Sequence, residues 1–238
     1  MYGIISDRKK DPLGAMMLAY LHGDRDAFVE VDSTTLEMST MRGEVMFREY
    51  EQMELLEQKA LELCRGEILD AGAGSGCHSL YLQSRGKEVE ALDISPGCVE
   101  VMRQRQVRNV LHRNLFSLQG KRYTTILMLM NGLGISGTLG GLNRLLRHVK
   151  TLLAEGGQLI ADSTDLTPLF AGVKQYLQLD HYFGETEFVM KYGEIVSDPF
   201  PWLYVDFETL RMFAEHNGLS CEQLLTVEGG DRYLVRMY

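Results

Sequence analysis

A glycine-rich stretch in the first third of the chain decides the fold. It reads Glu67-Ile-Leu-Asp-Ala-Gly-Ala-Gly-Ser-Gly76. Its apolar start predicts a buried strand over residues 67–71, and the pattern of residues 77–85 predicts a helix directly after the glycines. Glycine permits positive φ angles and lets a ligand lie against bare backbone, while the helix start offers free N–H groups. The stretch therefore predicts a ligand site at the carboxyl edge of a sheet.

Downstream of this stretch, strand patterns alternate with helix patterns. Short apolar runs predict further strands over residues 88–94, 107–112, 124–130 and 158–163. Such alternation is typical of a parallel sheet with helices on both faces. After a helix capped by Asp206, strands over 219–227 and 232–237 flank a turn with Gly229 and Gly230, which predicts an antiparallel hairpin. We therefore expect a doubly wound α/β fold, with a mostly parallel seven-stranded sheet and an antiparallel C-terminal strand.

Other regions lie outside this alternation. Residues 1–48 are interpreted as a cap segment, with a helix capped by Asp11 and a polar, extended stretch after it. Residues 49–238 would form the main domain, which starts with a helix over residues 49–64. Within that domain, residues 164–205 fit no strand–helix unit. We expect them to form an insert at the carboxyl edge of the sheet, on the substrate side.

The insert is rich in aromatic side chains. They are Tyr176, Tyr182, Phe183, Phe188, Tyr192, Phe200, Trp202 and Tyr204, with His181 among them. Residues 185–192 alternate well enough to form a strand, which predicts a small antiparallel lid with residues 202–205. Residues 47–50 would close the other side. Such a lid favours a concave pocket for a small molecule, and the alternative is that the aromatic rings only pack the insert onto the domain.

Composition and charge exclude several classes of protein. The chain has 24 Lys and Arg against 33 Asp and Glu, a net charge of −9, which makes nucleic acid an unfavourable partner. No apolar run approaches the ~20 residues of a membrane span, and the start of the chain lacks an apolar signal sequence. None of the four cysteines forms a C-x-x-C pair, so no metal site is predicted. We expect a cytoplasmic protein with reduced thiols.

A second signal comes from Asp93, which ends the strand after the glycine loop. A carboxylate about twenty residues beyond such a loop is placed to accept hydrogen bonds from both ribose hydroxyls, so the two signals predict an adenosine-type ligand. The dinucleotide fingerprint G-x-G-x-x-G would require glycine at position 77, where the chain has Cys77. The loop instead reads D-x-G-x-G-x-G from Asp70 to Gly76.

This loop, Asp93 and the terminal hairpin resemble the class I S-adenosylmethionine-dependent methyltransferases over residues 49–238. The resemblance implies that S-adenosylmethionine is the cofactor and S-adenosylhomocysteine the product. It implies that Asp70 and the glycines hold the methionine end, and that Asp93 and Ile94 hold the ribose and adenine. Where the family often has an acid beside the adenine, this chain has Asn114, followed by Leu115. The predicted cofactor residues are Asp70, Gly72, Gly74, Gly76, Asp93, Ile94, Asn114, Leu115 and Asn131.

The implied reaction is in-line displacement of a methyl group onto a small-molecule acceptor. A general base is optional, because the sulfonium is already electrophilic, and no catalytic residue is assigned. The fourth strand ends without the Asn/Asp-Pro-Pro-Tyr motif, and the chain lacks a Pro-Cys nucleophile, which again disfavours nucleic acid. The other side chains considered are Arg48, Tyr50, His78, His181 and Tyr182, each of which packing alone would also explain. A non-catalytic cofactor-binding protein and an NAD(P)-dependent oxidoreductase remain alternatives.

Overall fold

The computed structural model describes residues 3–170, 182–227, 229 and 231–238 of the chain. Within this part, seven strands form one sheet in the spatial order β11-β12-β7-β6-β3-β4-β5. They are Glu67–Ala71 (β3), Glu88–Asp93 (β4), Asn109–His112 (β5), Tyr123–Met128 (β6), Leu153–Thr164 (β7), Cys221–Thr226 (β11) and Arg232–Met237 (β12). Strands β3 to β7 pair in parallel, whereas β12 is antiparallel to both β7 and β11. The predicted fold class is confirmed.

Helices cover both faces of this sheet. The α-helices are Pro12–Leu21 (α1), Gly43–Met46 (α2), Leu55–Leu63 (α3), Cys77–Ser84 (α4), Pro96–Gln104 (α5), Leu139–Leu152 (α6), Thr167–Phe170 (α7) and Phe207–His216 (α8). Alternate strand residues point to opposite faces. Leu69 therefore packs in the core beneath α6 and α8, while its neighbour Ile68 packs in the core beneath α3. No helix in the described part of the chain is long and apolar enough to cross a membrane.

A second, antiparallel sheet stands over the carboxyl edge of the first, and we call it the lid sheet. It consists of Phe28–Ser33 (β1), Ser39–Arg42 (β2), Glu185–Tyr192 (β8), Ile195–Val196 (β9) and Phe200–Leu203 (β10). Their order is β10-β8-β1-β2, and β9 pairs with β8. The predicted strand at 185–192 is present, and its partner lies at Phe200–Leu203 and not at 202–205. The sequence did not predict that a hairpin of the cap segment would join the insert in one sheet.

Most boundaries lie within two residues of their predictions, and two differ by more. The helix expected over 49–64 is confined to Leu55–Leu63, because Tyr50–Gln52 forms a separate turn and Glu54 then caps the helix in a capping box with Glu57. Strand β7 begins at Leu153 and not at residue 158, and its register against β6 shifts before Gln158. Gly156 and Gly157 therefore lie within this strand and not at the end of α6. Tyr176 and His181 of the predicted insert, and Gly230 of the hairpin turn, lie outside the described residues.

Candidate active site

A cavity of about 1180 Å³ lies between the carboxyl edge of the parallel strands and the lid sheet. The loops after β3, β4, β5 and β6 form its floor. Lid residues that include Val31, Met41, Phe188, Met190 and Trp202 form its roof. Pockets for a single small ligand usually measure about 300–1,000 Å³, so this one has room for two. All nine predicted cofactor residues except Gly76 line it.

The glycine loop borders this cavity at Gly72. Its φ angle is +83°, and a Cβ atom built there would meet no heavy atom within 4 Å, so the backbone faces open space. The N–H groups of Gly72 and Ala73 donate to the Leu92 carbonyl at 2.8 and 3.0 Å, which fixes the loop against β4. A side chain would fill the space that the loop leaves open. This observation fits a ligand that lies against the backbone.

The other two glycines have different roles. A Cβ at Gly74, where φ is +56°, would contact the methyl groups of Met17 and Met46 at 3.5 Å. A Cβ at Gly76, where φ is +79°, would lie 2.8 Å from Val107. Gly76 therefore permits the tight start of α4 against the end of α5 and the loop before β5, and it does not line the cavity.

Asp93 holds the loop as well as facing the cavity. Its carboxylate accepts hydrogen bonds from the N–H groups of Gly74 and Ser95, both at 2.9 Å. Burial raises the pKa of the Asp93 carboxyl to about 6; the backbone N–H groups oppose this increase, and the charge of Asp11 adds to it. Each carboxylate oxygen has a second lone pair, which leaves acceptor capacity for ribose hydroxyls.

The remaining predicted cofactor residues lie along the same edge. Asp70 is buried and accepts a hydrogen bond from the Ser79 hydroxyl at 2.6 Å, and burial raises the pKa of its carboxyl. Ile94 and Leu115 line the cavity. The Asn114 side-chain oxygen accepts from the Phe116 N–H at 2.9 Å and so caps a short turn. Asn114 also lines the cavity, at the position where the family resemblance implies a group beside the adenine.

Asn131 occupies a strained position just after β6. Met130 and Asn131 have φ angles of +61° and +57°, a left-handed conformation that residues other than glycine rarely adopt. The Asn131 N–H donates to Asp162 at 2.9 Å, and its side-chain oxygen accepts from the Thr164 hydroxyl at 2.7 Å. Surrounding contacts that hold a strained backbone are a common feature of functional sites.

A buried ionic network beside the cavity was not predicted. Glu57 is 1% exposed, and its carboxylate contacts Arg48 at 2.5 Å and His78 at 2.8 Å. Burial by itself would raise the pKa of Glu57, but the hydrogen bond and charge of His78, together with Arg48, lower it to about 2. Burial opposes charge on His78, whereas Cys77, Glu57 and Asp70 favour it and raise its pKa. The sequence placed Glu57 in the middle of the helix predicted over residues 49–64, and only the structure shows that it lies in the first turn of α3.

Several other candidates have structural roles. Arg48 lines the cavity, but Tyr50 stacks on Tyr81 with ring centroids 4.2 Å apart and lies outside it. The Tyr182 hydroxyl donates to the Asp206 carboxylate at 2.6 Å and accepts from the Asp206 N–H at 2.9 Å. Tyr182 therefore supports the start of α8 and does not face the cavity. His181, its expected partner, is outside the described residues.

The cavity fits an adenosine-type ligand that carries a second polar end. Gly72 leaves an open cradle, and the buried carboxylates of Asp70 and Asp93 line the same cavity. Fold and site together define an S-adenosylmethionine-binding transferase.

Comparison with known proteins supports this class. A family model described as a methyltransferase domain matches residues 68–157. The crystal structure of an S-adenosylmethionine-dependent methyltransferase from Bacteroides fragilis, in complex with S-adenosylhomocysteine, is 40% identical, with a TM-score of 0.88. The similarity covers 99% of this chain and 98% of that one. The chain belongs to the S-adenosylmethionine-dependent methyltransferases, and S-adenosylmethionine is its cofactor.

Two further matches have either low sequence identity or short coverage. The CcbJ methyltransferase from Streptomyces caelestis is 16% identical over 76% of this chain and 88% of that one, with a TM-score of 0.59, and shares the fold. A malonyl-[acyl-carrier protein] O-methyltransferase from Serratia marcescens is 52% identical over 40 residues. That match spans 17% of this chain and 16% of the relative.

Proposed function

We propose that this methyltransferase acts on a small-molecule acceptor, which binds between the carboxyl edge of the large sheet and the lid sheet. The observation that supports this proposal is the size and enclosure of the cavity, about 1180 Å³ beneath a lid of aromatic and aliphatic side chains. A macromolecular acceptor would require a more open surface. The net charge of −9 also disfavours nucleic acid.

Within this proposal, the cofactor lies along the loops after β3, β4 and β5. Gly72 provides the backbone cradle, Asp93 accepts from the ribose hydroxyls, and Asp70 faces the methionine amine. Ile94, Asn114 and Leu115 surround the adenine. Gly74 and Gly76 shape the loop, and Asn131 lies where cofactor and acceptor would meet.

When bound, S-adenosylmethionine supplies a sulfonium methyl group that is already a strong electrophile. The chain's own residues then have to position the acceptor on the lid side and exclude water, which alignment and enclosure achieve without a dedicated base. The acceptor atom approaches in line with the bond that breaks. The lid sheet covers the cavity with Phe188, Met190 and Trp202, and this enclosure keeps water away.

Transfer of a labelled methyl group into a cell extract tests the proposal. Label is expected in the low-mass fraction, and label that appears mainly in protein or nucleic acid would contradict it. Trp202→Ala is expected to retain S-adenosylhomocysteine binding by calorimetry and to lose transfer, because the ring lies in the roof. Met212→Ala is the matched control, since Met212 is 61% exposed and does not line the cavity.

A further inference from the structure

Three hydrogen-bond donors with no protein partner line the cavity. They are the Tyr204 hydroxyl, the Trp202 indole N–H and the side-chain amide nitrogen of Asn131. Among the described residues, no hydrogen bond reaches any of these three groups, and all three residues line the cavity. Polar groups that line a ligand site and lack a protein partner are available to a ligand, which displaces the water around them.

Hydrogen bonds and packing link the chain segments that carry the three groups. The Val205 N–H donates to the Ser163 hydroxyl at 3.1 Å, which anchors the neighbouring Tyr204 beside Thr164. Thr164 in turn donates to the Asn131 side-chain oxygen at 2.7 Å. That bond occupies the oxygen and leaves the amide nitrogen of Asn131, with its two N–H donors, for a ligand.

Trp202 joins this cluster through a contact that only glycine permits. A Cβ atom at Gly134 would lie 2.0 Å from the indole Cε2 and 2.2 Å from its Nε1, so the ring packs directly on the Gly134 backbone. The Gly134 N–H donates to the Asn131 carbonyl at 2.8 Å. The indole N–H therefore lies within one turn of Asn131.

The nearby carboxylates are already engaged. Arg232 contacts both Glu54 and Asp162, and Arg48 contacts Glu57. Glu37 also lines the cavity, but it is exposed on the turn between β1 and β2. Burial raises the pKa of Tyr204, and the Arg232 charge only partly opposes the increase, so the hydroxyl is a proton donor at neutral pH. The cluster offers donors and no free base.

We propose that Tyr204, Trp202 and Asn131 bind an anionic oxygen of the acceptor, and that the acceptor carries this oxygen on a flat apolar body. This inference rests on the proposed small-molecule acceptor. The ring centroids of Phe188 and Tyr204 lie 6.3 Å apart in an edge-to-face arrangement, and the ring centroid of Trp202 also lies 6.3 Å from that of Phe188. This aromatic wall around the donors suits a flat apolar molecule.

The chemistry balances without a general base. The anionic oxygen forms a bond to the methyl carbon with its own lone pair, while the carbon–sulfur bond breaks and its electron pair stays on sulfur. The oxygen loses its negative charge and the sulfur its positive charge, and no proton is released. A carboxylate would give a methyl ester, and a phenolate would give a methyl ether.

The test uses the single tryptophan, Trp202, whose fluorescence reports on this wall. Protein saturated with S-adenosylhomocysteine is titrated with benzoate, with pentafluorophenolate, and with the isosteric benzyl alcohol and benzylamine. At least one of the two anions is expected to bind more tightly than the alcohol and the amine, and the preferred anion distinguishes a carboxylic acid from a phenol. Equal or tighter binding of benzylamine, or no binding of either anion at millimolar concentration, would overturn the proposal.

Tyr204→Phe tests whether the Tyr204 hydroxyl positions the anionic oxygen of the acceptor. It is expected to weaken anion binding about tenfold, because a hydrogen bond to a charged group is lost, and to leave S-adenosylhomocysteine affinity unchanged. Tyr192→Phe is the control, since Tyr192 belongs to the same lid sheet but does not line the cavity. Unchanged anion binding in Tyr204→Phe would refute this role. If the unmodified protein does not bind S-adenosylhomocysteine at all, the proposed cofactor site is refuted instead.

Discussion

The Asp11 carboxylate accepts hydrogen bonds from the Ser95 hydroxyl at 2.7 and 2.8 Å, so the cap segment is joined directly to the loop after Asp93. Asp11 also accepts from the N–H groups of Gly14 and Gly97, and thereby caps two helices at once. The Ser95 N–H donates to Asp93. The cap segment is therefore linked to the proposed ribose site through one serine.

We predict that Asp11→Ala lowers both stability and cofactor affinity. Loss of a cap costs about 1 kcal/mol per helix, so the two caps give about 2 kcal/mol, or about 4–8 °C in melting temperature for a chain of this size. Thermal unfolding with and without S-adenosylhomocysteine measures both effects. Asp7→Ala is the control, because exposed Asp7 caps only a short turn. Equal melting temperatures for the two variants would contradict the prediction.

A pair of glycine variants separates loop strain from ligand contact. Both Gly72→Ala and Gly74→Ala place a side chain at a positive φ angle, which costs roughly 1–2 kcal/mol of stability. The Gly72 side chain would extend into open space beside the cavity, whereas that of Gly74 would contact Met17 and Met46. We therefore expect similar melting temperatures but a much larger loss of S-adenosylhomocysteine affinity in Gly72→Ala, measured by calorimetry. The reverse order would place the ligand elsewhere.

Cofactor affinity is predicted to depend on pH through Asp93. Its pKa is raised to about 6, so the carboxylate becomes protonated as the pH falls below that value and can no longer accept from both ribose hydroxyls. Calorimetric titrations of S-adenosylhomocysteine from about pH 8 to about pH 5 should show affinity falling through this window. In Asp93→Asn, affinity should be lower and nearly independent of pH. A slope that survives in this variant would point to another group.

The same raised pKa has the opposite effect on the stability of the cofactor-free protein. Because the folded-state pKa lies above the unfolded value, the stabilising contribution of Asp93 is present below about pH 4 and is lost as the pH rises through about 6. Unfolding free energies of the cofactor-free protein and of Asp93→Asn, compared over this range, measure the effect. A contribution that increases with pH would show that the carboxyl is stabilised in its charged form.

Glu57→Ala is predicted to be strongly destabilising. Removing one partner of a buried ion pair costs about 3–5 kcal/mol, because Arg48 and His78 would lose their shared carboxylate. The lowered pKa of Glu57 means that its contribution is present above about pH 4.5 and is lost as the pH falls toward about 2. Denaturant unfolding at neutral pH measures the loss, and Glu51→Ala at an exposed position is the control. A loss below about 1 kcal/mol would contradict the prediction.

Local patterns in the sequence were sufficient for most of the large sheet. The strand Glu67–Ala71 and the start of α4 at Cys77 were predicted without error, because apolar periodicity and glycine punctuation act over a few neighbouring residues. The same locality explains why Asp70, Gly72 and Asp93 were identified as site candidates. Each stands at a strand end, and parallel topology brings strand ends to one edge.

Tertiary structure alone decided the contacts between remote segments. The pairing of β1 with β8, the Glu57–His78 ion pair and the contact of Trp202 with Gly134 join residues that no local pattern relates. The sequence offered Tyr182 as one candidate and gave Tyr204 no separate role, although in the structure Tyr182 is hydrogen-bonded to Asp206 and Tyr204 lines the cavity. Which hydroxyl is left for a ligand depends on which partners the fold brings within hydrogen-bond distance, and periodicity carries no information on that.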